Sequence, residues 1–241
     1  MRVDVALLPA ALVPATLRTT TVLVIDVLRA STTIVTALAN GCRAIVPLDD
    51  PDEARRRAAA TANALIAGER RGEPLEGFDL GNSPLEFTRE QVAGRTLFLT
   101  TSNGTKALLA ARSAAAIGVA GFVNLSAAAA WACEQGRDVV VLCSGERGDR
   151  SLEDEICAGL LVDRLQEVFP DATPGREATE VVRRARPYAK DLTRLAQDSR
   201  WARHLTSRGR GRDVAACLTV DAFALVPVYR PDVDKIVSPF G

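Results

Sequence analysis

The sequence predicts an α/β protein of three layers, α/β/α, in which helices cover both faces of a largely parallel or mixed central sheet. Two observations carry this prediction. Short apolar runs rich in β-branched residues, such as 22–27, recur along the chain, and each is followed by a helix-like stretch. Such runs suit strands buried on both faces, and alternation of strands with helices is typical of a parallel sheet. We expect one domain over 1–241, and the similar units leave open a division into two α/β halves.

The first half of the chain predicts three strands separated by helices. Gly41 is a natural helix stop, and Asp50-Pro51 is typical of an N-cap followed by proline at the first helical position. The predicted elements are a strand or helix start at 3–8, a strand at 22–27, a helix at 32–40, a strand at 44–48, a helix at 52–64 and a strand at 65–70. Residues 71–95 lack a regular pattern and are predicted to be a long loop that packs down through its apolar side chains.

The second half repeats the alternation and then becomes helical. Ser151 and Asp154 have the spacing of a capping box, and Pro227 is typical of an edge strand. The predicted elements are a strand at 97–99, a helix at 106–112, strand pieces at 114–120 and 122–124, a helix at 125–134, a strand at 138–143, a helix at 151–169, a broken helical stretch at 170–218 and a strand at 224–229. We expect the stretch 170–218 to pack on or near the functional site.

Composition excludes several function classes. Thirty basic and thirty acidic residues cancel, so no overall field attracts nucleic acid or a membrane. The N-terminus resembles no signal peptide, and no apolar run approaches the roughly 20 residues that span a bilayer. The five cysteines form no CxxC pair and are predicted to be free thiols of a cytoplasmic protein. The sequence does not fix the oligomeric state, and a homodimer is one of the states it allows.

Charged and hydroxyl residues recur where the predicted strands end. They are Asp26 and Arg29, Glu69 and Arg70, Thr100–Asn103, and Ser144–Arg147. In a parallel sheet such ends share one edge, which is the usual ligand site. Carboxylates beside an anion-binding turn favour Mg²⁺, which takes one or two carboxylates together with phosphate oxygens and water. Arginine binds phosphate, sulfonate and carboxylate groups through its fork. The pattern therefore predicts a small, multiply anionic substrate and phosphoryl chemistry.

Each of these residues also has a purely structural interpretation. Asp26 could be a helix cap, and the turn 101–105 could only cap its helix, since it lacks the spacing of a Walker loop. Asp154 could merely favour the positive end of a helix dipole. His204, the single histidine, could be a packing group or a proton shuttle. Cys143 could be a thiolate nucleophile, but its loop lacks the Cys-x5-Arg cradle of cysteine phosphatases.

Five motifs in order resemble the 2-phosphosulfolactate phosphatase family (ComB). They are Val24–Thr33, Gly68–Arg70, Phe78–Pro84, Thr100–Thr105 and Ser151–Asp154. The resemblance is strong over 1–165 and looser afterwards, although 213–229 is similar too. It implies an Mg²⁺-dependent α/β phosphatase that converts 2-phospho-3-sulfolactate into 3-sulfolactate and phosphate, a step of coenzyme M biosynthesis. Related phosphorylated 2-hydroxy acids are alternative substrates.

The resemblance and the residue chemistry together select the candidate site. Asp26 and Arg29 are the catalytic candidates, with Asp26 either a metal ligand or the nucleophile. The metal candidates are Asp26, Glu69, Asp79 and Asp154, and the substrate-binding candidates beside Arg29 are Arg70, Asn82, Ser102, Asn103 and Thr105. A non-catalytic protein that binds a small anion or metabolite on the same scaffold is the alternative, because no nucleophile motif of other phosphatases is present. Nucleic-acid binding through 176–212 is disfavoured, because that segment has only two aromatic residues.

Overall fold

The computed structural model describes residues 1–238, and one sheet of eleven strands runs through them. The strands are β1 (Arg2–Ala6), β2 (Thr21–Ile25), β3 (Ala44–Leu48), β4 (Ala64–Arg70), β5 (Glu73–Pro74), β6 (Thr96–Thr100), β7 (Ala116–Ala120), β8 (Val139–Cys143), β9 (Thr173–Pro174), β10 (Val228–Arg230) and β11 (Lys235–Val237). Their order across the sheet is β5-β4-β6-β3-β11-β10-β7-β2-β8-β1-β9.

Helices cover both faces of this sheet, which confirms the predicted α/β class. The α-helices are α1 (Pro14–Leu17), α2 (Ala30–Ala39), α3 (Pro51–Ala59), α4 (Arg89–Val92), α5 (Gly104–Ala110), α6 (Leu125–Glu134), α7 (Leu152–Val168), α8 (Arg176–Ala185), α9 (Leu192–Asp198), α10 (Arg200–Ser207) and α11 (Gly211–Cys217). Short 3-10 turns lie at Pro9–Ala11, Pro84–Glu86, Phe122–Asn124 and Arg186–Tyr188. No helix within residues 1–238 is long and apolar enough to cross a membrane.

The sheet is mixed because antiparallel pairs join two parallel sets of strands. One set is β7-β2-β8-β1-β9, and the other is β3-β6-β4. Between them β10 and β11 pair antiparallel with each other and with their outer neighbours. The strand ends of each set therefore share an edge, but sheet pairing alone does not bring the two sets of ends together.

The core packs against both faces of β2. Leu23 and Ile25 belong to an apolar cluster with α6, α7 and α8, whereas Val22 and Val24 face a second cluster with α2 and α5. All five residues of this strand are buried. The continuous apolar run of the sequence is thus explained by a strand covered on both sides, as predicted.

Several predicted elements differ in extent. The helix predicted at 52–64 ends at Ala59, since the chain turns there and Asn63 has a positive φ of 54°. Residues 122–124 form a 3-10 turn instead of a strand, because Asn124 accepts a hydrogen bond from Gly121 N–H through its side chain. The late strand starts only at Val228. The predicted single domain over 1–241 extends beyond the described residues and stays a prediction, as does the cytoplasmic location.

Candidate active site

A cavity of about 240 Å³ lies where the ends of β2, β4, β6 and β8 meet. This volume is near the small end of the usual range for ligand pockets, which fits a small substrate. The lining residues are Asp26, Leu28, Arg29, Glu69, Arg71, Gly72, Asn82, Ser102, Asn103, Glu146, Arg147 and Trp201. Six of the predicted site residues are among them: Asp26, Arg29, Glu69, Asn82, Ser102 and Asn103.

The first residues of α2 and α5 join the two sets of strand ends. A Cβ atom on Gly104 would lie 2.6 Å from the Cβ of Ala30 and 2.8 Å from Asp26 Oδ2. Only glycine allows so close an approach without displacing its neighbours. The contact between the two helix starts therefore places the turn after β6 against the turn after β2, which the strand pairing does not do.

Asp26 is a buried carboxylate directly after β2. It is 7% exposed, and its Oδ1 accepts a hydrogen bond from Ala30 N–H at 3.1 Å, so it also caps the start of α2. Burial raises the pKa of Asp26 to about 6 against the effect of that hydrogen bond, and the charges of Glu69 and Glu153 add to the rise. The structural interpretation and the functional one are thus both compatible with its position.

Arg29 is held by a residue that the sequence interpretation did not select. Its Nη1 donates to Asp213 Oδ2 at 2.6 Å, and its Nη2 donates to the carbonyl of Gly72 at 2.9 Å. Ser83 Oγ donates to the other oxygen of Asp213 at 2.7 Å. Asp213 lies on α11, and the similarity of the 213–229 stretch to the family was the signal that could have found it.

Glu69 binds main chain with both of its carboxylate oxygens. Its Oε1 accepts from Ser102 N–H at 2.7 Å, and its Oε2 accepts from Gly72 N–H at 2.7 Å and from Ser102 Oγ at 3.2 Å. The side chain therefore ties the end of β4 to the turn after β6.

Asp154 is buried and does not line the cavity. Its Oδ1 accepts from Val27 N–H at 2.9 Å, and its Oδ2 accepts from Ser144 Oγ and Gly145 N–H, each at 3.1 Å. Burial raises the pKa of Asp154 well above its ordinary value, and the charge of Asp26 adds to the rise. One of the two hydrogen bonds of the predicted capping box is present: Ser151 Oγ accepts from Asp154 N–H. The carboxylate itself fixes the turns after β2 and β8 instead of closing the box.

Three other predicted site residues lie outside the cavity lining. Arg70 donates to the carbonyl of Asp49 and to Thr100 Oγ1, away from the cavity. The Thr105 hydroxyl bonds to Thr101 within the start of α5, as the capping interpretation expects. Asp79 is exposed and accepts from the Ile66 N–H, so the structure does not support its predicted role as a metal ligand.

The cavity also contains residues that sequence reasoning missed. Arg71 and Arg147 lie on the loops after β4 and β8, with positive φ angles of 57° and 54°. Trp201 of α10 donates from Nε1 to the carbonyl of Leu28 at 3.0 Å. One residue of the helical stretch 170–218 thus forms a wall of the site.

The structure places the two further candidates, Cys143 and His204, outside the lining of the cavity. Cys143 is fully buried and does not line the cavity, and burial raises the pKa of its thiol well above the ordinary value, which disfavours the thiolate nucleophile. The His204 ring stacks on Trp201, with 4.8 Å between centroids, in a hollow next to the cavity.

The cavity offers oxygen ligands for a cation without forming a complete protein cage. Within residues 1–238 no group of three or more His, Cys, Asp or Glu side chains has the arrangement of a metal site. Asn82 Oδ1, however, is buried and has no hydrogen-bond partner among the described residues. Amide and carboxylate oxygens suit Mg²⁺, which usually keeps waters and substrate oxygens as further ligands. Asp26 and Asn82 together fit such a site.

The comparisons with known proteins agree with this arrangement of motifs. The family model of 2-phosphosulpholactate phosphatase matches residues 7–232. A probable 2-phosphosulfolactate phosphatase of Pseudothermotoga lettingae is 41% identical over 213 residues, covering 87% of this chain and 89% of the relative. One of Thermotoga petrophila is 40% identical over 225 residues, with 93% and 94% covered. Because these matches span nearly the whole chain and confirm the resemblance seen in its motifs, the chain belongs to the 2-phosphosulfolactate phosphatase family, a family of phosphoric monoester hydrolases.

Proposed function

We propose that this protein is an Mg²⁺-dependent phosphomonoesterase that hydrolyses 2-phospho-3-sulfolactate, or a related phosphorylated 2-hydroxy acid, to the free hydroxy acid and phosphate. One observation carries the proposal: a small cavity holds the buried carboxylate of Asp26 beside three arginines, Arg29, Arg71 and Arg147. A three-carbon ester with several negative charges matches the volume of this cavity, and its anionic groups match the three arginines in the lining. The relatives' names supply the specific substrate.

Asp26 and Asn82 would hold the Mg²⁺ ion in this proposal. Asp26 and Glu69 are buried, and a buried negative charge is costly in free energy. A divalent cation beside these carboxylates would offset that cost. When bound, the ion neutralises charge on the phosphoryl oxygens. Glu69, which binds main chain with both oxygens, shapes the wall of the site.

The protein's own groups supply the positioning that phosphoryl transfer requires. Arg29 presents its guanidinium to the phosphate, and Asp213 fixes the orientation of that guanidinium. Asp26 acts either as a ligand of the ion or as the nucleophile, and both roles need the ionised carboxylate. Without a bound cation, burial raises the pKa of Asp26 to about 6, so the ionised fraction of this carboxyl group rises steeply between pH 5 and pH 7.

Replacement of Asp26 tests the proposal directly. We expect Asp26→Asn to lower phosphate release from 2-phospho-3-sulfolactate by about 10³-fold, because the amide keeps the shape and loses the charge. Asp79→Asn is the matched control, since Asp79 is exposed and outside the cavity, and it should stay within about threefold of wild type. The wild-type activity should disappear with EDTA and return with excess Mg²⁺.

Two outcomes would contradict the proposal. Activity of Asp26→Asn close to wild type would remove Asp26 from the chemistry. Binding of 3-sulfolactate without phosphate release from any ester would favour the alternative, a non-catalytic protein that binds small anions. The absence of a three-residue acidic cluster within residues 1–238 is the observation that supports this alternative.

A further inference from the structure

Two cavity arginines differ from the others nearby in having no carboxylate partner. Arg29 pairs with Asp213, and Arg200 pairs with Glu146. Within residues 1–238, neither Arg71 nor Arg147 forms an ion pair with any carboxylate. Both therefore present a positive charge without an ion-pair partner to the cavity, whose lining also includes the carboxylates of Asp26, Glu69 and Glu146.

The positions of these two arginines are set by one short turn. Ser102 Oγ accepts a hydrogen bond from Arg71 N–H at 3.2 Å, and Asn103 Oδ1 accepts one from Arg147 N–H at 3.3 Å. Adjacent residues after β6 thus fix the backbone of two loops that are far apart in the chain. Ser102 and Asn103 therefore position the two arginine loops. The sequence predicts in addition that both side chains contact the anion directly.

Further contacts limit the freedom of each arginine. The guanidinium of Arg147 lies over the Trp201 ring, 5.8 Å from its centroid, and cation–π contacts of this kind orient arginine side chains. Gly72, next to Arg71, is held by Glu69 and by Arg29. Both cations are consequently presented from fixed backbones.

The two arginines lie at the outer part of the cavity. Arg71 and Arg147 are exposed, whereas Asp26 and Arg29 are 7% and 3% exposed. A substrate whose phosphate lies against Asp26 and Arg29 therefore directs its other end towards the exposed pair. A sulfonate offers three acceptor oxygens and stays charged at every working pH, so two guanidinium forks can bind it from different sides.

We infer that Arg71 and Arg147 form a clamp for the sulfonate of the substrate and determine the selectivity for a sulfonated ester over its sulfonate-free analogue. This inference rests on the proposed function and deepens it. The clamp is assembled by Ser102 and Asn103, which act as positioning residues.

Kinetics with two esters tests the clamp. The substrates are 2-phospho-3-sulfolactate and 2-phospholactate, which lacks only the sulfonate. We expect Arg71→Gln and Arg147→Gln each to lower kcat/KM for the sulfonated ester by roughly tenfold to a hundredfold, mainly through KM, the range expected for a lost charge-assisted hydrogen bond. The value for 2-phospholactate should stay within about threefold, and Arg147→Lys should keep part of the preference.

Arg89→Gln is the matched control, because Arg89 is exposed on α4, outside the cavity and without an ion pair among the described residues. It should leave both substrates unaffected. Equal losses on the two esters in the arginine variants, or a wild type without preference for the sulfonated ester, would overturn the clamp while leaving the phosphatase activity intact.

Calorimetry separates failure of the clamp from failure of the proposed function. If the wild type releases phosphate from neither ester, the proposed function fails. Binding of 3-sulfolactate to the full chain, measured by calorimetry, then still tests the clamp. Weaker binding by Arg71→Gln and Arg147→Gln than by Arg89→Gln supports it. Unchanged binding in these variants, or no binding by the wild type, overturns it.

Discussion

Asp26 and Glu69 are buried carboxylates at the ends of two strands, and they line the same cavity but accept different numbers of hydrogen bonds. Glu69 accepts from two main-chain N–H groups and one hydroxyl, which occupies both of its oxygens. Asp26 accepts from one main-chain N–H through Oδ1 and interacts with the Ser144 side chain, and burial raises its pKa to about 6. The two carboxylates are thus about equally buried but differ in how many hydrogen bonds they accept.

The difference shows how a structural carboxylate can be told from a reactive one. A carboxylate whose two oxygens both accept hydrogen bonds from the main chain ties loops together. One that is buried with fewer donors is held at a cost in free energy, which is typical of functional sites. Three predictions sharpen this comparison between Asp26 and Glu69.

The largest expected effect is on the pH dependence of stability. Folding raises the pKa of Asp26 from 3.8 to about 6, so the folded protein binds this proton more tightly than the unfolded chain. The resulting stability is fully present below pH 4 and is lost as the pH rises through 6. Asp26→Asn should therefore unfold with a free energy up to about 3 kcal/mol above wild type at pH 7.5, and the gain should vanish near pH 4.

Urea unfolding in EDTA at several pH values measures this difference. The matched control is again Asp79→Asn, whose exposed side chain should give no comparable gain. A stability difference between Asp26→Asn and wild type that does not change with pH would show that the buried charge of Asp26 is not the cause.

The second prediction concerns Glu69. Glu69→Gln replaces one acceptor oxygen by an NH₂ group, which leaves a main-chain donor such as Gly72 N–H without a partner. We expect a loss of about 2 kcal/mol in the free energy of unfolding, within the usual range for an unsatisfied buried donor. Thermal unfolding beside Glu76→Gln, an exposed position, measures the effect. Stabilisation by Glu69→Gln would mean that both carboxylates are held at a cost.

The smallest expected effect is at Gly104, where the start of α5 contacts the start of α2. Gly104→Ala would place a Cβ 2.6 Å from Ala30 Cβ and 2.8 Å from Asp26 Oδ2. We expect a loss of about 1–2 kcal/mol through overpacking, together with reduced activity because Asp26 is displaced. Gly211→Ala is the control, since its nearest contact would be an ordinary 3.6 Å. Unchanged activity in Gly104→Ala would show that the site tolerates movement of this contact.

Local patterns were sufficient for the strands and for part of the site. The apolar run before Asp26 predicts a strand covered on both faces, and the structure has it there. The run before Glu69 predicts a short strand, and the structure forms β4 there with several residues only half-buried. The turns after these strands predict where polar groups collect. Arg70 and Arg71 could not be distinguished in this way, because a shift of one residue at a strand end moves a side chain to the other face.

The sequence by itself determined the fold class, the family and the turns that carry the cavity, because short-range periodicity and ordered motifs are written in neighbouring residues. Tertiary structure alone decided that Asp213 holds Arg29 and that Trp201 forms a wall of the cavity. It also decided that the close contact at Gly104 brings the ends of the two parallel strand sets together. These contacts join residues that are distant in the chain. Their partners are selected by packing and by the burial of charge, which no local pattern records.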